Sequence, residues 1–149
     1  MDNLVIFSNQ KLPLTLEYPN PTPRGCRVTA REQSNDIGYR VHFTSDGSGE
    51  IYFEVGQYAN LSISTAMDLF KKEVSERIHG LEIGELEELM FDSYPAYRFT
   101  IRWPGTERVI TFLQKEDMVY RLIYDPSSPI NGQILESVRF YMTSNTTAN

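Results

Sequence analysis

The sequence predicts an α+β protein with an antiparallel β-sheet covered by helices on both faces, a three-layer α/β/α sandwich. Three observations carry that prediction. Ser93 to Tyr124 reads as three strands joined by two tight turns. Two of those strands are apolar on both faces, which a sheet with one solvated face would not show. Two other stretches place apolar residues three and four apart, the helical spacing that cover for such a sheet requires.

The meander begins at Ala96 to Trp103. Tyr97, Phe99, Ile101 and Trp103 alternate there with Ala96, Arg98, Thr100 and Arg102, the period of two expected of a strand. Pro104-Gly105 is a turn pair. In the second strand, Arg108 to Gln114, Val109, Thr111 and Leu113 face one way and Ile110 and Phe112 the other. Lys115-Glu116-Asp117 turns the chain into the third, Met118 to Tyr124. Here Met118, Tyr120, Leu122 and Tyr124 oppose Val119 and Ile123.

Upstream, Leu4 to Ser8 and Leu12 to Tyr18 read as short strands, with Pro13 suggesting an edge position. The run Pro19 to Pro23 is a rigid loop. Cys26 to Arg31 reads as a strand with one solvated face, Gln33 to Asp36 as a turn, and Tyr39 to Phe43 as the next strand. Asp46-Gly47-Ser48-Gly49 is a hairpin loop leading to a strand over Ile51 to Tyr58. The first helix is expected from Ser64 or Thr65 to His79. Thr65 and Asp68 resemble a capping box, and Met67, Phe70, Val74 and Ile78 form the apolar stripe. Asp68–Lys72 and Glu73–Arg77 are i,i+4 pairs, and Gly80 is the C′ residue. A strand over Glu85 to Phe91 then enters the meander. Ile130, Ile134, Leu135 and Val138 indicate a second helix, with Val138, Phe140 and Met142 alternatively alternating as a last strand. Residues 1–142 make one domain, and 143–149 a disordered tail.

The 149 residues, 40% of them hydrophobic, suffice for one core. The net charge of -6 argues against nucleic acid and anionic membrane, which need a basic footprint. No apolar run reaches the roughly 20 residues of a membrane helix. A native Met1 implies a cytoplasmic protein, and a removed leader an extracytoplasmic one. The expected partner is another protein. The sequence sets no oligomeric state.

The inventory holds no evident nucleophile–base pair, carboxylate pair or metal cluster, so the expectation is a non-enzyme without a cofactor. His42 shares a strand face with Arg40 and reads as a surface residue. His79 reads as a helix C-terminal residue, and Cys26, the lone cysteine, as a small core residue. Asp46 to Glu50 resembles the start of a calcium loop, but Gln57 stands where the bidentate Glu is needed. The binding candidates are the acidic run Glu82, Glu85, Glu87 and Glu88, suited to a basic partner or a cation, and the aromatics Tyr94, Tyr97 and Trp103. With Tyr120 and Tyr124, those aromatics suit an interface or a ligand groove between sheet and helix. The bland alternatives are a solvated face and ordinary sheet core.

Three segments resemble the PsbP-like family, which includes the extrinsic photosystem II subunit, Mog-type Ran-binding proteins and many small bacterial proteins. Leu14-Thr15-Leu16-Glu17-Tyr18-Pro19 resembles its early strand ending in an aromatic-Pro pair. Tyr94-Pro95-Ala96-Tyr97-Arg98-Phe99 resembles the strand entering the meander. Tyr120-Arg121-Leu122-Ile123-Tyr124, with Ile134 to Phe140, resembles the final strand and closing helix. The resemblance implies an α/β/α sandwich and a non-enzymatic accessory or binding role. It carries over no binding residue.

Overall fold

The computed structural model describes residues 3–35, 38–47 and 49–141. The expected tail at 143–149, with Met142, Asp36 and Ser48, lies outside the described residues. The order of elements is β1 (Leu4–Phe7), β2 (Leu14–Pro19), β3 (Val28–Asn35), β4 (Gly38–Ser45), β5 (Tyr52–Ala59), α1 (Ile63–Arg77), β6 (Glu82–Ile83), β7 (Glu87–Phe91), β8 (Tyr94–Trp103), β9 (Thr106–Lys115), β10 (Met118–Tyr124), α2 (Pro129–Ser137) and β11 (Arg139–Phe140). The result is an α+β molecule with a large antiparallel sheet and two helices.

The large sheet runs β3-β4-β5-β10-β9-β8-β6, with β7 also pairing to β8. The meander stands at its centre, in the register Arg121↔Phe112 and Phe99↔Ile110. Strands that are apolar on both sides need two cores, and two are present. On one face Phe43, Phe53, Val55, Leu113, Tyr120 and Leu122 meet Leu14 and Leu16 of β2 and Ile134 and Leu135 of α2. On the other, Phe99, Ile110, Phe112, Val119 and Ile123 meet Ala66 and Phe70 of α1. The first face is covered by α2 together with a small sheet, β1-β2-β11. That small sheet was not anticipated as a layer. Asn131, fully buried in α2, ties helix to sheet: its Oδ1 accepts from the Tyr52 N–H (3.0 Å) and its Nδ2 donates to the Asp125 carbonyl (2.9 Å).

Several boundaries differ from the sequence reading. The α1 helix begins at Ile63 because Ser62 caps it, its Oγ accepting from the Thr65 N–H (3.1 Å). The capping box on Thr65 does not form. The helix stops at Arg77, with an extended Ile78, so exposed His79 and Gly80 (φ 74°) lie beyond its end. The Glu73–Arg77 pair forms at 3.1 Å, and Lys72 reaches Glu76 at 3.9 Å. The strand expected from Glu85 begins at Glu87 as β7, and a short strand that was not expected, β6, precedes it; between them the Gly84 N–H donates to the Thr100 carbonyl (2.7 Å). Pro13 does not mark an edge. It precedes β2, the middle strand of the small sheet, and its carbonyl accepts from the Tyr141 N–H (2.9 Å). The turn expected over Gln33 to Asp36 is strand through Asn35. Cys26 lies before β3, half-buried, rather than in the core. Both readings of the C-terminal segment hold in part, since α2 ends at Ser137 and Arg139–Phe140 pairs with β2.

Candidate functional site

The acidic candidates occupy one edge of the large sheet. Glu82 pairs in register with Arg102, Glu87 with Arg98 and Glu88 with Tyr97. All four carboxylate side chains, Glu85 included, are exposed. Large hydrophobics interrupt them: Ile83 is 37%, Leu86 47% and Met90 64% exposed. Clustered apolar exposure beside charge is unlike a plain solvated face. The β7–β8 hairpin holds this edge in place. Asp92 (φ 48°) and Ser93 (φ 72°) form its two-residue turn, and the Asp92 Oδ2 accepts from the Phe140 N–H (2.8 Å).

The aromatic candidates are not brought together. Tyr94 packs against the α2-side core, edge-on to Phe140 at 5.8 Å. Half-buried Tyr97 shares the opposite face with Phe112. Trp103 packs against the α1-side core, with the Arg108 guanidinium 5.9 Å from its ring. It borders an open cleft of about 600 Å³ that includes Arg102, Arg108, Asp125 and Ser127. Tyr120 and Tyr124 lie on the Tyr94 side. Cys26, His42 and His79 occupy three separate settings: a loop, the β4 face and the chain beyond α1.

Sequence reasoning missed a buried polar network on the α1 side of the sheet. Glu54 of β5 and Arg121 of β10 are 3% and 6% exposed. Arg121 Nη2 donates to Glu54 Oε2 at 2.7 Å, and Arg40 Nη1 reaches the same oxygen at 3.1 Å. Arg121 also donates to the Tyr58 hydroxyl and lies 5.0 Å over the Phe70 ring. Gly56 stands opposite Arg121 in register, and a Cβ there would meet its guanidinium at 3.5 Å. The signal was one charged residue at an inward position of each strand, Arg121 within MVYRLIY and Glu54 within YFEVGQY. His42 is not the surface residue expected from its strand face. It is half-buried, its Nε2 is enclosed, and its ring stands edge-on to Tyr52 at 4.6 Å.

Burial shapes the titrations. It lowers the His42 pKa from the usual 6.5, with nearby Arg40, Arg108 and Arg31 reinforcing the shift and Glu54 opposing it. Burial raises Tyr58 despite Arg121, and raises Tyr120 despite its bond from Gln57. Tyr39 is pushed up to about 12 by burial and its bond to Glu32.

Among solved structures, cyanobacterial PsbP (CyanoP) from Synechocystis sp. PCC 6803 superposes with a TM-score of 0.65 at 10% identity, covering 95% of this chain and 94% of that one. The fold is therefore PsbP-like, at a distance. A Pseudomonas aeruginosa protein of unknown function aligns with a TM-score of 0.38 at 10% identity, over 84% of this chain and 85% of that one. No protein-family model matches the sequence, and no curated protein does. Among the described residues, no helix is long and apolar enough to cross a membrane.

Proposed function

We propose that this protein is a non-enzymatic accessory module that docks on another protein through the sheet edge from Glu82 to Met90. One observation carries the reading: four exposed carboxylates and three exposed large hydrophobics share a segment that a tight hairpin holds in place. Interfaces combine apolar anchors with charged surroundings in this way. The PsbP-like fold, read as a three-layer α/β/α sandwich, supports an accessory role by analogy alone.

Affinity capture from extract of the source organism tests it, with the variant carrying Lys at positions 82, 85, 87 and 88 as control. A partner held by the wild type and lost by the variant is expected. The same partners on both proteins would sink the assignment.

The cleft beside Trp103 supports a second reading, a small-ligand binder. A ligand at 100 times its Kd adds about 2.7 kcal/mol to stability, so a thermal-shift screen over metabolites and metal ions decides it. A flat screen counts against that reading.

A further inference from the structure

The acidic edge has backbone groups to offer as well as side chains. In the β7–β8 hairpin, the two-residue turn makes Phe91 and Tyr94 the closing pair that exchanges backbone hydrogen bonds. Alternation along the ladder makes Leu89–Ala96 and Glu87–Arg98 bonded pairs, while Met90–Pro95 and Glu88–Tyr97 are not. Two observations agree with this phase. Pro95 has no N–H to give, and Thr100 accepts from Gly84, so the even-numbered residues of β8 face this edge. The N–H and C=O groups of Glu88 and Met90 therefore point away from β8. Among the described residues, β7 pairs with β8 alone.

We infer that this edge accepts an extended segment of the partner as an added strand, with basic residues opposite Glu87–Glu88 and apolar residues opposite Leu89–Met90. The inference rests on the docking reading above and deepens it. Outward backbone groups supply the ladder. Successive side chains alternate between faces, so one face of β7 offers Glu87 with Leu89 and Phe91, and the other Glu88 with Met90. Charge selects the occupant. A parallel second copy of β7 would set carboxylates against carboxylates, and an antiparallel one in full overlap would set Glu87 against Phe91 and Glu88 against Met90, whereas lysine or arginine opposite a carboxylate is favoured.

The probe is a capped peptide containing Val-Val-Lys-Lys flanked by threonines, added to the full chain. Two control peptides carry Glu-Glu in place of Lys-Lys, or backbone N-methyl groups at alternate positions. The lysine peptide should slow amide exchange at Glu88 and Met90 by at least about tenfold and leave Glu87 and Leu89 unchanged. Both control peptides should fail. The variant M90P removes an outward N–H without breaking a bond to β8, so it should stay folded by circular dichroism and lose the peptide. Binding retained by M90P and by the N-methylated peptide would overturn strand addition. No binding of the lysine peptide, or concentration-dependent dimers formed through this edge, would also overturn it. A captured partner lost on charge reversal yet kept by M90P would leave the docking reading standing and remove the strand.

Discussion

At the scale of single residues, the strongest commitment is the Glu54–Arg121 pair. Replacing Glu54 by Ala leaves a buried guanidinium without its carboxylate, at a cost of about 3–5 kcal/mol. Replacing both partners by Met should cost much less, since a buried pair is often no better than an apolar isostere. Urea unfolding of the single and double variants checks this. His42 gives a pH dependence of definite sign. Its folded-state pKa is depressed below 6.5, so the unfolded chain takes up the proton first. Stability should be unaffected by this group above about pH 6.5 and should fall as pH drops from there toward the folded pKa. The variant His42→Gln should flatten that slope below about pH 6.5 in denaturant titrations. Neither role was legible from period-two alternation. It assigns residues to faces, and it placed His42 with Arg40 correctly, but it does not say how deep a face is buried. That depth depends on neighbouring strands, Tyr52 and Glu54 of β5, which is next in the chain, and Arg121 of β10, which is distant in it.

At the scale of elements, turn and strand chemistry was legible and helix ends less so. The three meander strands needed only local alternation and the turns expected at Pro104-Gly105 and Lys115 to Asp117, and they stand where expected, except that Lys115 is the buried last residue of β9 rather than part of the turn. The N-terminus of α1 was read one or two residues late because hydroxyl residues compete as caps there, and only geometry shows that Ser62 accepts from Thr65. Accordingly, Ser62→Ala should cost about 1 kcal/mol and Thr65→Ala distinctly less, by thermal unfolding. The β7–β8 turn places two non-glycine residues at positive φ. Ser93→Gly should relieve that strain and stabilise the protein by about 0.5–1 kcal/mol. The same substitution at Asp92 should not help, because its carboxylate holds the Phe140 N–H. The short β6 before Gly84, which lies upstream of the expected strand, carried no such signal in its neighbours.

At the scale of the whole molecule, two cores on opposite faces lock the large sheet and leave its β6–β7 edge open. That the central strands are covered on both sides was evident from their composition. The identity of one cover was not, because the small sheet joins segments from both ends of the chain, and local periodicity carries no record of such pairing. The same limit applies to the site. The acidic residues stood out by composition, whereas their company with Ile83, Leu86 and Met90 at a free edge, and the scattering of Tyr94, Tyr97 and Trp103 over two faces, required the fold. The most direct measurement is hydrogen exchange across the full chain, free and bound to a partner captured by the wild type. Slowed exchange concentrated in 82–91, with Glu88 and Met90 foremost, is the predicted footprint. Protection on the β3–β4 face around Arg31 and Arg40, with 82–91 unchanged, would contradict the account.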